Sequence, residues 1–408
     1  MATKAFPSVP ASCSVIFVIV LAYILTFVHS LTLESEVEVL SALKRSVDPN
    51  TIPPSSYLST WDFSGDPCES TGAKFLGILC SVPEGNSSSR IISIDLDAAG
   101  YDGFLTPLIG NLTELTAIDI SKNRFRGPLP ENIFDLKKLT RISLSGNFLT
   151  GSIPHRVYQL KELETLDLSN NLLSGAIPSG ISALRRMKHL SLAHNGFIGK
   201  IPNLNGLWQL QTLELHSNMF VGNLPTLPTR LTTLTLCHNL LSGRITSLGT
   251  LKQLRSIDVS DNRFTGPISR GIFALPLLTQ MNVSFNQLTA MEVNNNHEVG
   301  SPLQVLSAQG NRLQGHLPVN LVTFERLLEI NLAHNQLTGR IPREYGVRLG
   351  NPWRTLFLDH NFLSGPLPSQ FSHLKIRGSL ASNCLRCTTT IPFCRGGQRP
   401  GSACLGEM

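Results

Sequence analysis

The chain has 408 residues, 65 of them leucine, with only 15% charged side chains and a formal charge of +6. Its 32 Gly and 25 Pro fall at regular intervals rather than in linkers. This composition excludes a disordered chain, and beyond Val28 no apolar run approaches the roughly 18 residues that span a bilayer, which excludes a polytopic membrane bundle.

In chain order, residues 1–30 read as a signal peptide. Lys4 gives a basic end, Val15 to Val28 is an apolar run, and Val28-His29-Ser30 offers a cleavage site, so the mature chain starts at about Leu31. No basic stop-transfer cluster follows, and the expectation is a secreted, extracellular protein without a mature transmembrane segment. Residues 31–90 form an N-terminal cap holding Cys68 and Cys80, expected to pair. Residues 384–408 form a second cap with Cys384, Cys387, Cys394 and Cys404, whose three pairings the spacing leaves open.

Between the caps, residues 91–383 repeat. Asparagines stand at 123, 147, 171, 195, 218, 239, 262, 286, 311, 335 and 361, and apolar residues recur eight, five and three positions before each, as in Leu163, Leu166 and Leu168 before Asn171. Ile91, Ile94 and Leu96 make a twelfth unit with Ala99 in the Asn place, and Ser379 to Asn383 is a closing half unit. Alternate leucines give a short strand with one apolar face, and the Asn amide bonds backbone groups where the chain turns inward. One coil of about 24 residues buries too little to fold alone, so the coils must stack and their ends need covers.

The unit Leu163 to Pro178 resembles the plant extracellular leucine-rich repeat LxxLxLxxNxLxGxIP, and Trp61, Asp66-Pro67-Cys68 and Gly77-Ile78-Leu79-Cys80 resemble the N-terminal cap of plant receptor-like kinases, receptor-like proteins and polygalacturonase inhibitors. Phe75 departs from that cap, which usually has Trp nearby. The resemblance implies an α/β repeat fold: a leucine-rich repeat solenoid, right-handed and horseshoe-shaped, with a parallel inner β-sheet, a second short sheet from the Gly and Pro segment, and disulfide caps. The inner sheet should run about 58 Å, from 12 gaps of about 4.8 Å.

No kinase, P-loop, Gly-x-Ser-x-Gly or His-Glu-x-x-His motif occurs, so the chain reads as no enzyme, with no cofactor. The family resemblance implies a protein-recognition module that binds a peptide or a receptor kinase ectodomain in plant signalling or defence. The alternative is an inhibitor of microbial polygalacturonase, whose family usually has four cap cysteines where Cys68 and Cys80 stand here. Arg354, Phe357, Asp359 and His360, which combine an aromatic with both charges, form the candidate protein-binding site. Asp119, Asp167, Asp258 and Glu214 share the position four before the Asn, and His194, His238, His334 and His360 directly precede it. Cys237 reads as an outward-facing thiol. Asn86, Asn111 and Asn282 are glycosylation sequons, the last on the inner face, and Thr289 to Gly300 reads as a loop. Most excess charge lies at the C-terminal end, in Lys375, Arg377, Arg386, Arg395 and Arg399 against Glu407, which suggests weak pectin contact there. Nucleic acid is not expected. The expected location is the apoplast or cell wall, including the outer surface of the plasma membrane.

Overall fold

The structure is a computed structural model and describes residues 31–69, 73–82, 84, 88–293, 301–372 and 376–404. The signal segment, Asn86, Lys375, Glu407 and most of the expected loop at 294–300 lie outside the described residues.

From Ala117–Asp119 to Thr355–Phe357 the middle residue of each apolar triplet centres a three-residue strand, as Leu166 does in Thr165–Asp167, and the strands stack in chain order. The resulting inner sheet has 14 strands, running from Ile78–Ser81 to Arg377–Ser379. The first is antiparallel, contributed by the N-terminal cap, and all the others pair in parallel with the leucines in register, such as Leu166 beside Ile142 and Leu190. Ile118, Leu163, Leu213, Leu234, Leu306 and Leu356 are fully buried, and the core runs unbroken through the stack.

The asparagine ladder is the main polar framework of the described core. Asn171 is typical. Its Oδ1 accepts the Leu149 N–H of the preceding coil at 3.0 Å, while its Nδ2 donates to Leu144 O at 3.0 Å in that coil and to Leu168 O and Ser169 O at 3.2 and 3.1 Å in its own bend. Every coil is therefore tied to its neighbour as well as to itself, and buried backbone groups at the bend are satisfied. The residue before the ladder Asn is left-handed in coil after coil, with φ of 54° at Asn170, 52° at His194, 49° at Asp261 and 54° at His360. Asn, Asp and His tolerate that conformation better than most side chains, which gives the recurring histidines a backbone reason to be there.

After the Asn, the Gly four positions on is also left-handed, for example Gly175 at 79°. The Pro seven positions on starts a single turn of 3₁₀ helix on the outer side: Pro130 precedes Glu131–Asp135, Pro154 precedes His155–Gln159 and Pro178 precedes Ser179–Ala183. Its fixed φ suits that entry and its missing N–H costs nothing there. The Gly segments form a second layer of parallel strands, split into an 8-stranded sheet from Arg126–Pro128 to Gln287–Met291 and a 4-stranded sheet from Gln314–His316 to Cys384–Arg386. The split falls at the irregular unit. Here the expectation of a loop from Thr289 is corrected, because Gln287–Met291 is strand; the extra residue is absorbed as a β-bulge, with Gly266 opposite Leu288 but Pro267 opposite Ala290.

The caps close the stack with polar groups matched to the exposed coil ends. In the helix Glu34–Arg45, Val39, Leu40 and Leu43 are buried, and so is Glu36, whose carboxylate pairs with Arg90 at 2.7 Å and accepts the Ile91 N–H at 2.7 Å, holding the first parallel strand. Phe75 fills the aromatic position beneath Trp61, with ring centroids 6.4 Å apart. Disulfides link Cys68 to Cys80, Cys384 to Cys404 and Cys387 to Cys394. At the far end Gln398 takes over the ladder role. Its Oε1 accepts the Leu385 N–H at 3.2 Å and its Nε2 donates to Leu380 O at 3.2 Å, the same two kinds of group that a next Asn would bond. Arg399 is committed beside it, donating to Asn361 O and Ser382 O at 2.9 Å and lying over the Phe362 ring. No helix of the described residues is long and apolar enough to cross a membrane.

Candidate functional site

The inner face presents one row of side chains per strand position, and the sequence rules of each row identify the exceptions. Four before the ladder Asn, the aspartates are structural. The Oδ1 atoms of Asp119, Asp167 and Asp258 accept both the N–H, at 3.0 Å, and the hydroxyl of Ser121, Ser169 and Ser260, fixing the bend. Asn282 keeps the turn, accepting the Ser284 N–H at 3.2 Å. Its Nδ2, the atom that a glycan would occupy, donates to Asp258 Oδ2 at 3.1 Å and Ser260 Oγ at 3.2 Å, whereas Asn111 is exposed on a 3₁₀ turn.

Two before the Asn the chain dives into the core and the row is crowded, with Ser169, Ala193, Ser260, Ser284 and Ala333 all buried. Cys237 occupies this row, so the outward-facing reading is corrected: the thiol is free and buried, and desolvation with nearby Asp258 pushes its pKa up to about 11. Three larger polar residues break the small-residue rule, His216, Gln309 and Asp359. A residue that violates its row without a packing reason marks a place where the inner face does something else.

His216 lies edge-on to His194, with ring centroids 4.8 Å apart, and its Nδ1 is buried without a hydrogen-bond partner. Burial, followed by the His194 charge, holds its pKa below the usual histidine range. Gln309 accepts from Asn331 Nδ2 at 2.7 Å and lines a depression of about 430 Å³ together with His238, Asp261, Asn282, Ser284 and Phe285. The depression mixes polar and apolar surface: His238 Nδ1 lies 2.5 Å from Asp261 Oδ2, and the Phe285 ring stands 54% exposed at its wall. The Ser284 hydroxyl beneath it is buried and has no partner.

Toward the C-terminal end, the structure places the four residues singled out in the sequence on one coil. Arg354 and His360 are exposed, and Phe357 and Asp359 half-buried. Asp359 Oδ2 lies 2.9 Å from His360 Nδ1 and 3.9 Å from Nε2 of His334 in the preceding coil, and the two imidazoles stack with centroids 4.0 Å apart and planes at 10°. His334, absent from the sequence-based site, belongs to this group by stacking; its identical place before the ladder Asn was the available signal. The depression and this cluster lie about 14 Å apart, three strand spacings along the inner sheet.

Comparison with known proteins agrees with this architecture. Leucine rich repeat family models match residues 113–173 and 137–197, and residues 253–275 and 353–374; the Leucine rich repeat N-terminal domain model matches residues 33–81. A putative leucine-rich repeat receptor-like serine/threonine-protein kinase of Arabidopsis thaliana is 40% identical over 58 residues, which is 14% of this chain and 6% of that relative. The ectodomain of the Arabidopsis thaliana receptor kinase GASSHO1/SCHENGEN3, solved in complex with CASPARIAN STRIP INTEGRITY FACTOR 2, superposes with TM-score 0.75 at 25% identity over 90% of this chain and 46% of that one. The Arabidopsis HAESA ectodomain, in complex with an IDA peptide hormone ligand, gives 0.69 at 27% identity over 90% and 60%. A plant ice-binding protein gives 0.58 at 26% identity over 81% and 95%. The chain thus spans about half the length of these two receptor ectodomains.

Proposed function

We propose that this solenoid of plant-type leucine-rich repeats is a secreted, non-catalytic recognition module whose inner face, from the Ser284 depression to Arg354, Phe357, Asp359 and His360, binds a peptide or another receptor's ectodomain. The observation that carries the reading is the depression itself. Ser284 completes the Asn282-Val283-Ser284 sequon and its hydroxyl is buried, so the contacts the depression offers a ligand are the exposed Phe285 ring, for apolar contact, and the polar rim of His238, Asp261 and Gln309. The structural likeness to an ectodomain solved with a peptide hormone supports the same reading.

The test is capture of crosslinked partners from extracellular fluid by the tagged full chain. Phe285→Asn, which keeps a residue tolerant of the left-handed backbone, should weaken capture, and Arg354→Ala with Phe357→Ala should weaken it without altering secretion. Undiminished capture by all of these variants would overturn the site. The alternative, inhibition of microbial polygalacturonase, is read in parallel: purified protein that slows pectin cleavage by the fungal enzyme would replace the peptide reading. Among the described residues, weak pectin contact rests on exposed Arg377, Arg386 and Arg395, because Arg399 is used inside the cap.

A further inference from the structure

We propose that His334, Asp359 and His360 form a binding site for a divalent transition-metal cation of the Zn²⁺ or Cu²⁺ class. Their ligand atoms all lie within 4.8 Å of one another, the sole His/Cys/Asp/Glu grouping of that kind among the described residues. The other inner-face histidines make the contrast. His194 meets His216 without a carboxylate in the set, and His238 meets Asp261 without a second imidazole.

The site is built by the repeat. Both histidines hold the left-handed place before a ladder Asn, with φ of 55° and 54°, and their backbone N–H groups are tied to the next coil, His334 to Asp359 O at 2.8 Å and His360 to Ala381 O at 2.9 Å. The stack then sets the two imidazoles side by side, with the carboxylate of Asp359 2.9 Å from His360 Nδ1 and 3.9 Å from His334 Nε2. Asp359 is itself an exception in a row that elsewhere favours Ser and Ala, and its side chain is only 14% exposed, so the carboxylate is held rather than mobile.

The chemistry selects the cation. Two imidazoles and one carboxylate suit a borderline metal, whereas calcium and magnesium prefer sites made of oxygen. Ligand bonds of about 2.0 to 2.2 Å around a tetrahedral centre put donor atoms roughly 3.3 Å apart. Asp359 Oδ2 already stands 2.9 Å from His360 Nδ1 and 3.9 Å from His334 Nε2; because a metal lies in the plane of each imidazole it bonds, the stacked rings must also turn out of parallel to aim at one centre, a side-chain rotation open to two half-exposed histidines on fixed backbones. Three protein ligands leave a fourth position open toward the inner face, the arrangement in which a metal keeps a water or takes a ligand from outside.

The test uses the untagged full chain, titrated with Zn²⁺ by calorimetry and with Co²⁺ by visible absorption as the spectroscopic probe. One cation per chain is expected. His334→Asn and His360→Asn, which keep a residue tolerant of the left-handed backbone, and Asp359→Ser, the residue of equivalent coils, should each weaken binding about tenfold or more, comparable to the effect of disturbing a metal's surroundings elsewhere. His238→Asn should leave the titration unchanged. Wild-type affinity in the His334→Asn/His360→Asn double variant, or no binding at millimolar Zn²⁺, overturns the proposal. No partner protein is needed for this measurement, so its failure leaves the recognition reading standing, and the converse also holds.

Discussion

Replacing Asn262 by Ala tests the ladder where it is least affected by the ends. The side chain is 8% exposed, accepts the Leu241 N–H at 2.9 Å, and donates to Leu236 O, Val259 O and Ser260 O at 3.0, 3.3 and 3.0 Å. Truncation leaves one buried N–H without a partner, at about 2 kcal/mol, and removes two N–H donors shared among three carbonyls, at about 1 kcal/mol each, for a loss of about 4 kcal/mol. Asn262→Asp is the control: it keeps an acceptor for Leu241 but sets a carboxylate against three carbonyl oxygens, so it should be no milder. Urea unfolding would be followed by fluorescence and circular dichroism together, because a stacked array can lose part of its coils before the rest. A loss below about 1 kcal/mol with an unchanged m-value would refute the ladder as the main polar tie between coils.

Three further outcomes follow from the same geometry. Gln398→Ala removes one acceptor and one donor, and should cost about half as much as the Asn262 change, read in the same urea series; an effect within about 0.5 kcal/mol of zero would deny Gln398 its ladder role. Cys237 is protonated and covered at pH 8, so native protein should resist iodoacetamide until denaturant is added. Because its pKa rises from 9.0 to about 11, the unfolded chain releases the proton first and stability should fall between those pH values, a slope that Cys237→Ala reduces in alkaline melts, most clearly between about pH 9 and 10, below the range where Tyr101 and Tyr345 add the same sign. His216 runs the other way. Its pKa is depressed from 6.5 by burial first and then by His194, against the opposing charges of Glu214 and Asp258, so the unfolded chain binds a proton more readily and stability should fall as pH drops below 6.5. Melting temperatures of the wild type and of His216→Ser across that range check it; parallel curves would exclude His216 as the cause.

Much of this was legible in the leucines and asparagines, because each repeat states the same rule and the rule fixes a local geometry. The Asn ladder, the strand before it and the Gly and Pro after it could be placed without coordinates, and so could the common coil of Arg354, Phe357, Asp359 and His360. Other features were not legible because no repeat prepares for them. Glu36 and Arg90 pair across 54 residues. Gln398 substitutes for an Asn through a longer side chain approaching from a separate loop, which no periodicity announces. Cys237 looked outward by strand alternation and is buried because the chain turns inward two residues before the Asn, carrying that row with it.

The sequence by itself determined that the chain coils, how many coils stack and which residues recur on one row, since those depend on local backbone preference and apolar period. The tertiary structure decided which rows meet. His334 and Asp359 lie 25 positions apart, and only the stacking distance between coils and the left-handed turn before each Asn bring an imidazole of one coil to the carboxylate of the next. A side-chain approach of this kind depends on ångström-scale packing of neighbouring coils, which a residue pattern specifies only as adjacency.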